Sequence, residues 1–331
     1  MRLVIALFLT STLIISCQET QVGTYRNENI DPEVLEEVRA LDAQVVEALR
    51  DNDSEGLKRL MSDDLKASVS EDLSGFMERA QRSIESKQYI TVDQYHRVGT
   101  ANETVALISG TDKDDDYIIQ YQSITNESFV SVIAPKREGD TYLLTTFYGR
   151  FEDDWKLNII QFERYTLGGL SSIQLFREAQ AELEKGYVVN AFNRMLLGQT
   201  CSQPAGEFWQ FRIQAEMDAF NDSLTQLAQG SYPMPMVVDT IPTKPIIFQI
   251  TPQRVDLDIC TMIKYVSGIN IKDTLALAAE NKMLHELARK KFNGIDADVP
   301  FIFYRAFNEM PKEGISTPYF GFVRPVDERL L

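Results

Sequence analysis

Two histidines, His96 and His285, and three cysteines, Cys17, Cys201 and Cys260, hold all the imidazole and thiol of the chain. Two histidines cannot build a multi-histidine metal centre. A mixed site would need four scattered residues to converge without C-x-x-C spacing. No metal and no cofactor is therefore expected. The run "DKDDD" at 112–116 sets Asp112, Asp114 and Asp116 at alternate positions, as a calcium loop begins. Such a loop needs glycine at its sixth place and glutamate at its twelfth, where Tyr117 and Ser123 stand instead. A solvated hairpin tip is the expectation. The nucleophile elbow, the zinc-protease helix, the phosphate loop and the dinucleotide fingerprint are all missing from the sequence.

Two places keep some capacity for chemistry or binding. In "YITVDQYHRV" strict alternation groups His96 with Ile90, Val92 and Val98 on an inward face. An imidazole there is a general acid or base, a ligand contact, or a core histidine with one hydrogen bond. Spacing names no partner, because Asp93 and Tyr95 fall on the other face. The second place is "SYPMPMVVDTIP", where Tyr232, Met234 and Met236 alternate with prolines. Methionines and an aromatic on a stiffened loop make either an adaptable contact surface or a plain connector. These three and His96 are the candidate ligand-binding residues. No catalytic residue is assigned beyond His96 as a candidate.

Cys17 asks for a different explanation. Residues 3–15 are apolar apart from Thr10, Ser11 and Thr12. A helix of that length reaches ~20 Å, short of a ~30 Å hydrocarbon core. With Arg2 before it and small Ser16 after it, the run reads as a secretory signal. "LIISC" resembles the bacterial lipobox. The resemblance implies a diacylglycerol thioether on Cys17 and an acylated amino group, and two or more chains anchor stably. Gln18, in place of aspartate, points to the outer membrane. With Cys17 modified, Cys201 and Cys260 remain as an even pair in an oxidising compartment. A bond between them would stabilise by ~4 kcal/mol; the other reading is two buried thiols.

The elements that must position these residues follow from periodicity. Asp31 and Pro32 open a helix whose Val34, Val38, Leu41, Val45 and Leu49 form one stripe. From residue 89 the period changes to two, predicting strands over 89–98, 103–110, 117–123, 128–136, 140–149 and 155–165. Helices followed by an antiparallel meander predict an α+β domain, its helices packed on a curved sheet. "LDAQVVEALRDNDSEGLKRLMSDDLK" and "FEDDWKLNIIQF" resemble the first helices and last strand of the nuclear-transport-factor-2-like (cystatin-like, cone-shaped) family. That resemblance covers residues 31–167, and implies a pocket in the cone where some members run isomerase or hydration chemistry. "GGLSS" at 168–172 reads as a linker. Residues 173–331 read as a second α+β domain, opening with a helical hairpin similar to one tetratricopeptide unit. Residues 1–16 are then the signal peptide and 17–30 a flexible tether.

A formal charge of −16 argues against nucleic acid and against adhesion to anionic lipid by charge. Taken whole, the chain resembles two-domain lipoproteins of Bacteroidota. The expectation is a non-enzymatic cell-envelope protein, anchored to the outer membrane through acylated Cys17, on its periplasmic side or at the surface. It would bind a protein partner or a small ligand. The rival expectations are a pocket isomerase or hydrolase working through His96, and a structural accessory subunit of an envelope complex.

Overall fold

Helix α1 (Pro32–Asp51) begins where the sequence caps it: the Asp31 carboxylate accepts from the Glu33 amide at 2.9 Å, and proline fills the first turn. Val34, Val38, Val45 and Leu49 are buried along its stripe. Short helices α2 (Ser54–Leu60), α3 (Asp63–Ser68) and α4 (Leu73–Ser83) follow; Asp53 caps α2 and Ser62 caps α3. The computed structural model describes residues 21–69, 73–84, 88–136, 139–255 and 258–327. Cys17 and residues 1–16, read above as a signal peptide, lie outside the described residues.

The chain is mixed α+β, with eight α-helices among the described residues and curled antiparallel sheets. The first sheet runs in the order β1 (Gly23–Arg26), β2 (Tyr89–Val98), β5 (Glu127–Pro135), β6 (Thr141–Phe151), β7 (Asp154–Leu167), β8 (Leu170–Ser171), all antiparallel. Residues 23–26 therefore do not belong to a tether: they pair with Arg97, Tyr95 and their neighbours as an edge strand. One face of this sheet, with Phe129, Ile133, Leu144, Tyr148 and Trp155, shares a core with α1–α4.

The opposite face is buried too. Tyr95, Val130, Val132, Leu143 and Phe147 pack under a second sheet of β3 (Glu103–Ile108), β4 (Tyr117–Ser123) and β9 (Trp209–Phe211). They also meet helices α5 (Ser172–Glu184), α6 (Val188–Gln199) and α7 (Gln214–Ser231). Burial on both faces explains why the interior of β5 is apolar or small throughout rather than alternating.

The core does not stop at "GGLSS". Gly168 and Gly169, at φ +61° and +82°, make the tight turn between β7 and β8, a conformation that suits glycine. Ser171 then caps α5 in a reciprocal capping box with Gln174. Further on, Trp209 stacks on Tyr117 with ring centroids 3.7 Å apart, and β9 pairs with β4. Asp114 lies on the solvated tip of the β3–β4 hairpin, as expected, 41% exposed, and also clasps Arg177 at 2.6 Å and Arg212 at 3.0 Å.

A third sheet holds β10 (Met236–Val237), β11 (Ile246–Val255), β12 (Asp258–Val266), β13 (Phe301–Phe307) and β14 (Tyr319–Pro325). Its one parallel pair, β12 with β13, is joined through α8 (Thr274–Lys291), the long crossover that parallel strands require. Helix α6 serves two cores. Ala191 and Met195 face the first sheet, whereas Val189 belongs to the core of the third. Among the described residues no helix is long and apolar enough to cross a membrane.

Candidate functional site

Helix α7 stops at Ser231 because Pro233 and Pro235 lack the amide hydrogens that would continue it. The Tyr232 amide makes the last helical bond, to the Ala228 carbonyl at 2.8 Å. The chain then crosses toward β10, and the Tyr232 ring meets Phe292 edge-on at 5.0 Å. Between this crossing, α6, α7 and β11 lies a cavity of about 520 Å³. Val189, Phe192 and Asn193 form its α6 wall, and Thr225, Ala228 and Gln229 its α7 wall. Tyr232, Pro233 and Met234 close one side; Phe248, Gln249 and Ile250 of β11 close the other. None of these twelve side chains carries a charge.

Asn193 is the polar group of the deep wall, 2% exposed. Its Nδ2 donates to Thr261 Oγ1 at 3.0 Å, which leaves Oδ1 without a partner among the described residues. Buried amide oxygens are rarely left so. At the exposed rim, Gln249 Oε1 accepts from Lys264 Nζ at 2.9 Å.

The structure thus brings Tyr232 and Met234 to one cavity. Met236 starts β10 and, like them, packs on the third-sheet core, but it does not line the cavity. His96 is elsewhere; it points inward as expected, but not on the same face as Val92. Val92 is an extra residue in β2, bulged between Thr91↔Ile133 and Asp93↔Val132. The bulge inverts the alternation: Val92 packs toward β3 and β4, whereas His96 turns to the α1–α4 side. There it is wholly buried among Tyr25, Phe129 and Trp155, at ring distances of 6.0–6.1 Å. Its Nε2 lies 2.9 Å from Glu127 Oε1, which also accepts from Arg150 at 3.3 Å. The hydrogen bond from His96 is the main cause holding the Glu127 carboxyl below its usual range. Glu127 lines an open polar groove of about 580 Å³, and so stands between His96 and solvent.

Of the two readings left open for Cys201 and Cys260, the structure shows the unbonded one. Cys201 and Cys260 are free, buried thiols. Cys201 Sγ donates to the Gly198 carbonyl at 3.5 Å, and burial pushes its thiol up to about 11. The β12 residue packed on the Cys201 cluster is Ile259, so Cys260, one position on, points to the other face of the strand.

Sequence reasoning missed Asp42 and Asn193. Asp42 accepts from Tyr148 Oη at 2.8 Å and Thr146 Oγ1 at 2.9 Å. Burial pushes its carboxyl up to about 6, against bonds from Ser131, Tyr148 and Thr146. It opens onto a cleft of about 410 Å³ beside Arg39, Arg50 and Tyr89. A signal existed for both residues. Asp42 falls four after Val38 and three before Val45, on the apolar stripe of α1; Asn193 falls four after Val189 on α6. A polar residue on a buried stripe marks a built interaction. Compared with protein-family models, curated proteins and solved structures, the chain gives no match.

Proposed function

We propose that this chain is a lipid-anchored envelope protein, held at the outer membrane through acylated Cys17, that binds a small ligand without transforming it. The observation carrying the proposal is the 520 Å³ cavity between α6, α7, the Tyr232–Met234 crossing and β11. Its size falls in the range of small-molecule sites, and its walls are mainly apolar with few polar groups, the usual make-up of such sites. Residues 31–167 are read as a cone-shaped nuclear-transport-factor-2-like unit. Four helices sharing a core with one face of the first sheet support that reading. The lipobox-like "LIISC" supports the anchor and a two-domain lipoprotein of the Bacteroidota type. An enzyme working through His96 is less well supported, because His96 is wholly buried and lines neither the cavity nor the polar groove.

Thermal unfolding of the full chain tests the binding role, with N-phenyl-1-naphthylamine as an uncharged probe. A ligand bound only by the folded state raises Tm with its concentration. The rise is expected in the wild type and in His96→Gln, and is expected to vanish in Ala228→Phe, which fills the cavity. An equal rise in Ala228→Phe would place the probe elsewhere and overturn the proposal. For the anchor, intact-protein mass from the native host should show residues 1–16 removed and acyl chains on Cys17; an unacylated start contradicts it.

A further inference from the structure

We infer that the ligand of this cavity is an uncharged amphiphile, an aliphatic or aromatic body carrying a hydroxyl that hydrogen-bonds the Asn193 side-chain amide. The inference rests on the cavity being a ligand site, as proposed above, and concerns the chemical class that fits it.

Charge is the first discriminator. A quarter of the chain is charged, yet the twelve lining residues include no Asp, Glu, Lys or Arg. A carboxylate or ammonium taken into that space would be desolvated with nothing to pair with. The body of the ligand meets Phe192, Phe248, Ile250 and Met234, and the unbranched thioether of Met234 adapts to chains of differing shape.

Asn193 is the second. It sits in the deep wall, and one end of its amide is spent on Thr261 while the other has no partner among the described residues. A buried polar atom left open beside a cavity is the group that a ligand would complete. A hydroxyl both donates and accepts, so it satisfies that atom whichever way round the amide stands. Thr225 and Gln229 are partly or fully exposed, and Gln249 is already engaged by Lys264, so none of these competes for the deep position.

The test uses the full chain in lipid nanodiscs with ¹³C-methyl methionine, titrated with 1-decanol, decanoate and decyltrimethylammonium. Met234 reports the cavity; Met195 and Met262, buried elsewhere, report the fold. The expected result is a saturable shift of Met234 with 1-decanol, and binding at least about tenfold weaker for both ions. Asn193→Leu should weaken 1-decanol about tenfold, the loss of one net hydrogen bond, while Met195 and Met262 stay in place. Should that variant fail to fold, the three-ligand series on the wild type still decides. Decanoate binding as well as 1-decanol would put the head group at Lys264 on the rim, overturning the class while leaving the cavity as a ligand site. If no compound moves Met234, the ligand-site reading fails with it.

Discussion

The ionisable groups buried around the first sheet and the buried amide of the α6–α7 cavity are treated in opposite ways. Around the first sheet, Asp42 of α1 is met by Tyr148 and Thr146, and Asp93 by Arg26, Asn27 and Tyr117. His96 is met there by Glu127. Each acid or base is closed by a partner on another element, and removing one would leave the others stranded. At the cavity, the one deep polar side chain keeps an end unbonded, and no charge is present to be met. Closed sets hold a fold together, whereas an open group beside a void is where something else can enter. His96 Nδ1, Tyr95 Oη, Thr145 Oγ1 and Asn158 Oδ1 also have no partner among the described residues; His96 is surrounded by Tyr25, Phe129 and Trp155 rather than a void, whereas Asn158 lines a smaller void of about 260 Å³.

The contrast can be broken first at Asp93. Asp93→Ala removes a buried acceptor shared by Tyr117, Asn27 and Arg26. It should cost about 3–5 kcal/mol in urea unfolding, as loss of one partner from a buried charged set does. A cost under about 1 kcal/mol would mean that the set is not closed in the way described.

Asp42 offers a pH test. Its folded-state value of about 6 lies above the ordinary carboxyl value, so between about pH 4 and pH 6 the folded chain holds a proton that the unfolded chain has lost. This group's contribution to stability is therefore full at low pH and falls as pH rises through that window, by about 3 kcal/mol in all. Glu127 and Asp140, whose values are lowered, act with the opposite sign. The difference between wild type and Asp42→Asn, measured from pH 4 to pH 7, isolates the Asp42 part. A flat difference would contradict the assignment.

On the cavity side the expected stability effects are smaller. Ala228→Phe should change unfolding free energy by less than about 1.5 kcal/mol, since it fills a void without displacing packed atoms, while abolishing ligand-induced stabilisation. His96→Gln keeps a donor toward Glu127 and should leave ligand affinity within about twofold, below one hydrogen bond's worth.

How much of this was legible depended on how local its cause was. The α1 stripe and its Asp31–Pro32 start are written in adjacent residues, and β4 occupies Tyr117–Ser123, the span that its alternation predicts. That His96 points inward was legible; that Val92 does not share its face was not, because Val92 is a bulged residue that breaks the alternation. Nor was β9. Three residues pair across about ninety positions of chain, and the sequence around Trp209 reads as helix until Tyr117 is there to stack on it. The solvated tip carrying Asp114 was legible, but its two arginine partners were not, being remote in the chain. At the site, Tyr232 and Met234 were visible through their prolines, but the cavity needs α6 and β11 brought beside them, which no spacing states.

The central claim is that the void beside Asn193 takes a ligand, and a photoreactive long-chain alcohol tests it most directly. The full chain is irradiated with a diazirine-bearing alcohol and the labelled peptides are mapped by mass spectrometry. Labels are predicted on residues 188–199 and 225–250, competed away by unlabelled 1-decanol. Labels confined to residues 89–165, or insensitive to competition, would contradict the account.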